Sequence, residues 1–189
     1  MSCFTAEKRL CMPTDEDLMV SAAGGNTAAF GRLIERHQHS AWSAAYRFLG
    51  DSNEAEDVAQ EAFLKILDAA PRYRPSATFR TYLYRVVTRL CLDRVSKKKP
   101  FYTQTIPNVA TRDTSPLEIL SERERGQLVR EALDYLPAKQ RVVVVLRYYE
   151  GLNYAEIASA LETTVKAVER LLSRARQGLE QRLERFIEP

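Results

Sequence analysis

Along most of this chain, apolar residues recur at the three- and four-residue spacing of a helix. Between Ala28 and Leu49, the residues Phe30, Leu33, Ile34, Ala41, Ala44, Ala45 and Phe48 fall on one side. Ala55, Val58, Ala59, Ala62, Phe63, Ile66 and Leu67 form a second, cleaner stripe. Asp51 or Ser52 can cap it, and the acidic residues that follow suit the positive end of a helix. A third helix is expected from about Thr78 to Val95, with Phe79, Leu83, Val86, Val87 and Leu90 inward. Three such helices can bury one small core.

The pattern then lapses. Residues 97–116 carry Lys97–Lys99, Pro100, Pro107 and Pro116 among polar residues, and no period survives. So long a structureless connection is uncommon inside one domain. The chain therefore divides into domains at 12–96 and 125–187 with a linker at 97–124. In the second domain Leu128, Val129, Ala132, Leu133 and Leu136 make a stripe that stops at Pro137. Val142–Val145 has strand propensity. Pro137 suits a first-turn position, however, and Ala138–Tyr149 offers no hairpin partner, so the segment reads as a buried helix ended by Gly151. The fold class is all-α: two small helical domains joined by a flexible linker.

Residues 153–176 hold the sharpest local signal. Asn153 with Glu156 forms a capping box, and Ile157, Ala158 and Leu161 face inward. Thr163 or Thr164 caps the next helix, whose inward face is Val165, Val168, Leu172 and Ala175. Lys166, Glu169, Arg170, Ser173, Arg174 and Arg176 fall mainly outward. A helix-turn-helix needs this layout, because its second helix enters the major groove N-terminus first and its later cations meet phosphates. From spacing alone, a plain helical hairpin with a solvated basic face fits as well.

Composition adds little until it is divided. The 189 residues are 45% hydrophobic and 28% charged, with a net charge of +3, which describes a chain able to bury a core. Residues 51–68 hold six acidic residues against one basic, and residues 72–99 hold nine basic against one acidic. The total conceals an acidic helix followed by a basic one, an arrangement suited to two partners of opposite charge. Arg80, Arg85, Arg89 and Arg94 line a broad flank of the basic helix, with Phe79, Tyr82 and Tyr84 between them and Tyr73 before. Rings for bases and cations for backbone are what single-stranded DNA requires. The competing reading makes Phe79 core and the tyrosines half-buried edge residues.

Several classes of chemistry drop out. Nothing approaches the roughly 20 apolar residues of a membrane span, and the acidic start of the chain lacks an apolar signal core, so the cytoplasm is expected. Cys3, Cys11 and Cys91 form no CxxC pair, and Cys91 reads as core. His37 and His39, two apart, point to different sides of a helix. Gly24-Gly25 reads as a turn between helices, not a phosphate loop. No catalytic residue, metal site or cofactor is expected.

The runs Ala55–Phe63, Phe79–Val86 and Leu90–Asp93, then Leu136-Pro137 with Arg141, then Tyr154–Arg176, resemble in that order the extracytoplasmic-function group of the sigma-70 family. The resemblance covers about residues 14–185. It implies a sigma factor directing core RNA polymerase to promoters. Polymerase binding would fall to Asp51, Glu54, Asp57, Gln60 and Glu61. Capture of the −10 strand would fall to Tyr73, Arg74, Arg80, Tyr82, Arg85, Arg89, Lys97 and Lys98. The −35 duplex would be read by Thr164, Lys166, Glu169, Arg170, Ser173, Arg174 and Arg176. Core polymerase, promoter DNA and an anti-sigma factor are the implied partners, with no membrane insertion and no obligate homo-oligomer. Tyr82 stands where the family usually has Trp, Arg89 where Asn is frequent, Lys166 where Gly is common, and Arg170-Leu171 where Ser-Arg is common. The last two changes unsettle any transferred −35 preference. The alternative, a helix-turn-helix regulator with an unrelated helical effector domain, leaves the acidic and basic aromatic helices unexplained.

Overall fold

The computed structural model describes residues 12–74, 77–97, 126 and 128–187, and every regular element among them is helical. In the first domain α1 is Asp15–Ala23, α2 Thr27–Leu49, α3 Ser52–Ala69 and α4 Phe79–Lys97, with a 3₁₀ turn at Ala70–Arg72. In the second, α5 covers 128–135, α6 is Ala138–Val144, α7 Tyr154–Ala160 and α8 Val165–Ile187. The expected linker beyond residue 97 lies outside the described residues, as do Cys3, Cys11 and Lys98.

Local chemistry sets the boundaries. Asn26 caps α2 through a hydrogen bond from the Ala29 N–H, and Gly50, at φ 79°, closes it in the left-handed region. Asp51 caps α3, accepting from the Glu54 N–H at 2.9 Å. The expected turn at Gly24-Gly25 is present, with Gly25 at φ 92°. Helix α1 is an element that the hydrophobic pattern did not announce. Its buried set is only Leu18, Met19 and Ala22, and a capping box between Thr14 and Asp17 starts it. Asp15 ties α1 to α2 through Arg36 at 2.7 Å and His37 at 2.6 Å. The Glu16 carboxylate accepts the Phe79 N–H and so satisfies the exposed start of α4.

The first core forms around Leu33, Phe48, Val58, Ile66, Phe79 and Leu83, all fully or almost fully buried. Phe30 meets Phe63 edge to face at 6.4 Å. Cys91 belongs to this core as expected, and burial pushes its thiol up to about 12.

The valine run is helical, with Val142–Val145 buried. Its continuation, Val145–Tyr149, opens into a π-type turn in which the Glu150 N–H reaches the Val145 carbonyl. Gly151, at φ 69°, then reverses the chain. The Asn153–Glu156 capping box forms, at 2.9 and 2.7 Å.

The sequence suggested two separately filled cores. The buried apolar residues instead make one continuous cluster through both domains. Helix α4 joins them: it packs on α2 and α3 and also on α6 and α7. Thr81, Tyr84, Thr88 and Cys91 are therefore buried beside the expected inward residues, while Val86 is only partly covered.

Candidate nucleic-acid interface

Helix α8 presents its candidate residues as the spacing implied. Val168, Leu172 and Ala175 are buried against the second domain. Thr164, Lys166, Glu169, Arg170, Ser173, Arg174 and Arg176 are all exposed. Thr164 is the cap, its hydroxyl accepting from the Ala167 N–H at 3.2 Å. Val165 is a correction: expected inward, it is exposed, because it lies on the first turn before α8 reaches the core. Between α7 and α8, Glu162 takes φ 51°, the left-handed position that glycine fills more easily. The turn thus closes without glycine. Arg176 donates to the Tyr148 hydroxyl at 2.9 Å, which fixes its reach along the outward face.

The basic helix is divided among α3, the second domain and solvent, a distribution that its sequence did not reveal. Arg94 turns to α3: it donates to the Glu54 carbonyl at 3.0 Å and Glu61 at 3.2 Å and lies 3.9 Å from Asp57. Acidic and basic helices thus partly neutralise each other. Arg80 and Arg85 turn to the second domain. Arg80 donates to the Glu150 carbonyl, and Arg85 donates to the Ser159 hydroxyl at 3.2 Å and lies 4.0 Å from Glu162. Arg89 and Lys97 are exposed.

The aromatics separate in the same way. Phe79 is core, and Tyr84 is buried with its hydroxyl donating to Glu150, so neither offers a ring to a ligand. Tyr73 and Tyr82 pack together at 5.5 Å and stay partly exposed beside exposed Arg74. Phe79 in the core and Tyr73 and Tyr82 half-buried at its edge are what the competing reading expected, and Tyr84 is buried more deeply than either reading supposed.

On α3, Asp51, Asp57 and Gln60 are exposed, whereas Glu54 and Glu61 are partly covered. Glu61 also meets Lys65 at 3.5 Å. Next to this face a groove of about 660 Å³ runs between α2 and α3, lined by Phe30, Trp42, Gln60, Phe63, Leu64 and Leu67 among others. Leu64 is 62% exposed, a large apolar side chain left at its rim.

Sequence reasoning missed the residues that join the domains: Arg47, Arg130, Arg141 and Glu150. Arg141 donates to the Phe48 carbonyl at 2.8 Å and Arg130 to the Tyr46 carbonyl at 3.4 Å, both at the C-terminal turn of α2. One signal was available: α4 carries more apolar and small residues than one stripe requires.

His37 and His39 face different neighbours, Asp15 and Trp42 respectively. Among the described residues, no group of three or more His, Cys, Asp or Glu is placed to hold a metal ion. No described helix is long and apolar enough to cross a membrane.

Comparison with known proteins gives two family matches, sigma-70 region 2 over residues 33–101 and sigma-70 region 4 over residues 126–179. The chain is 33% identical over 176 residues to the ECF RNA polymerase sigma factor SigE of Mycolicibacterium smegmatis, covering 88% of this chain and 68% of that one. It is 30% identical over 170 residues to SigW of Bacillus subtilis, covering 84% and 91%. Among solved structures, CnrH in complex with the cytosolic domain of CnrY superposes with a TM-score of 0.70 at 28% identity, over 90% of this chain and 97% of that one.

Proposed function

The chain belongs to the sigma-70 family, in its extracytoplasmic-function group of RNA polymerase sigma factors, and we propose that it divides the work of initiation among three surfaces. As a sigma factor it directs the polymerase to promoters, and the chemistry of RNA synthesis is the polymerase's. The observation that carries the division is that three chemically distinct faces on different elements each keep side chains open to solvent: the acidic face of α3, the Tyr73–Tyr82 pair beside Arg74, and the outward face of α8.

Residues 12–96 would hold the first two faces and 125–187 the third, with 97–124 linking them. On α3, Asp51, Glu54, Asp57, Gln60 and Glu61 would dock the polymerase, with the adjacent apolar groove adding contact area. Tyr73, Arg74, Arg80, Tyr82, Arg85, Arg89, Lys97 and Lys98 would hold the opened −10 strand. Melting a few base pairs costs several kcal/mol, which stacked bases and neutralised phosphates offset. On α8, Lys166, Glu169, Arg170 and Ser173 would reach base edges, while Thr164, Arg174 and Arg176 meet backbone. The proposed place of action is the cytoplasm, where polymerase and promoter meet. An anti-sigma partner is also proposed, supported by the likeness to CnrH, which was solved with the cytosolic domain of CnrY.

Reconstitution with core polymerase tests the assignment. Asp57, with its side chain 70% exposed, is the cleanest docking probe. Asp57→Lys is expected to weaken core binding about tenfold; unchanged affinity by titration removes α3 from the docking surface. Arg174→Ala is expected to weaken duplex binding similarly for all sequences and to reduce the salt slope by about 1. A sequence-selective loss would make Arg174 a base reader.

A further inference from the structure

Glu150 occupies an unusual position. It ends the π-type turn of α6, is only 7% exposed, and faces the first domain. Its carboxylate accepts from the Tyr84 hydroxyl of α4 and, at 3.3 Å, from Arg47 of α2. Its backbone carbonyl accepts from Arg80. A carboxylate removed from water is retained at a cost unless donors replace its hydration, and here two side chains of the other domain, Tyr84 and Arg47, do so. Burial, with Glu150 as acceptor, holds the Tyr84 phenol far above its ordinary ionisation, so it remains a donor. Around this centre, Ser159 and Glu162 engage Arg85, while Arg130 and Arg141 reach the last carbonyls of α2.

Arg80 and Arg85 are two of the cations assigned above to the −10 strand. We infer that Glu150 is an autoinhibitory latch: its carboxylate anchors the second domain to Tyr84 and Arg47, which sets its carbonyl on Arg80 and Ser159 and Glu162 on Arg85, donors that the opened strand would otherwise use. The inference rests on the −10 assignment in the preceding section. It follows that strand capture requires separation of the domains, and any ligand that binds only the separated form must first overcome the closed population. The exposed face of α8 carries no such restriction, since all seven of its candidate residues are accessible in the closed form.

Glu150→Gln removes the charge and keeps an acceptor for Tyr84. Arg47→Met breaks the latch from the first domain and leaves Glu150 in place. Neither residue belongs to the proposed DNA surfaces. Trp42, the chain's only tryptophan, reports the transition. It stacks on Tyr46 at 5.0 Å, and the Arg130 guanidinium of the second domain lies 4.3 Å above the Tyr46 ring.

The experiment measures three quantities on the free full-length chain: affinity for a single-stranded −10 oligonucleotide, Trp42 emission, and radius of gyration by small-angle scattering. Both variants are expected to bind the strand at least about fivefold more tightly than wild type, the factor by which a closed form in modest excess depresses apparent affinity. They should also be more extended, with shifted Trp42 emission and unchanged −35 duplex affinity. Equal strand affinity and equal dimensions in wild type and both variants overturn the latch. The same oligonucleotide is offered to the holoenzyme with and without Arg85→Ala. If the holoenzyme captures the strand independently of Arg85, the −10 assignment fails; if capture depends on Arg85 while the free variants match wild type, only the latch fails.

Discussion

Replacing Leu172 with alanine is expected to lower the free energy of unfolding by about 3 kcal/mol and to remove −35 duplex binding. Leu172 is 1% exposed and sits between Val168 and Ala175, both fully buried, on the face that fixes α8 to α6 and α7. The outward residues hold their positions only as rigidly as this inward stripe anchors the helix. Removing the isobutyl group forfeits its transfer energy and leaves a cavity that two short neighbours, Val168 and Ala175, cannot fill. The cost therefore exceeds that of the lost methylenes alone. Urea unfolding followed by far-UV circular dichroism gives the stability change, and fluorescence anisotropy with a labelled duplex gives the binding. A loss below about 1 kcal/mol with intact binding would mean that α8 is positioned mainly by its caps and its turn.

This dependence explains why the second domain was readable from sequence. One helix packed on one core shows one apolar stripe, and Val168, Leu172 and Ala175 obey that spacing. The Asn153–Glu156 box was legible because both of its hydrogen bonds are local. Val165 misled because the periodicity extends through the first turn, whereas burial begins only where α8 meets its neighbours. Helix α4 shows the opposite case. It is buried on two faces, so its apolar and small residues no longer fall into one stripe, and the second set, including Tyr84 and Thr88, looked like interleaved surface aromatics and polar fill. The partner of Tyr84 is 66 residues away in sequence. Local spacing carries no record of such a pair.

Charge behaves similarly. A basic run read along the chain suggests one cationic surface. In the fold, Arg94 answers α3, Arg80 and Arg85 answer the second domain, and Arg89 and Lys97 face solvent. The large opposite charges of α3 and α4 therefore express intramolecular pairing as well as partner choice. Asp57 and Gln60, two of the residues proposed to dock the polymerase, stay exposed, while Glu61 is shared between Arg94 and Lys65. Helix α1 was missed for a different reason: nine residues with three buried positions give too few repeats to establish a period.

The second large effect is expected at the tyrosine pair. Changing Tyr73 and Tyr82 together to alanine should slow promoter opening by the holoenzyme at least tenfold, since each stacked base contributes about 1–3 kcal/mol. Phenylalanine is the informative control. The Tyr73 hydroxyl is buried without a hydrogen-bond partner, so Tyr73→Phe deletes an unsatisfied polar group and keeps the ring. Burial also raises the ionisation of both phenols above the ordinary value of 10.0, so both rings stay neutral beside phosphates at physiological pH. Opening is therefore expected to be preserved in the phenylalanine variants. Tyr82→Leu separates packing from stacking: leucine fills much of the volume against Tyr73 but offers a base no flat face. Permanganate reactivity of unpaired thymines measures opening directly. If Tyr82→Leu opens promoters as fast as wild type, the pair acts by supporting α4, and the bases are held by the arginines alone.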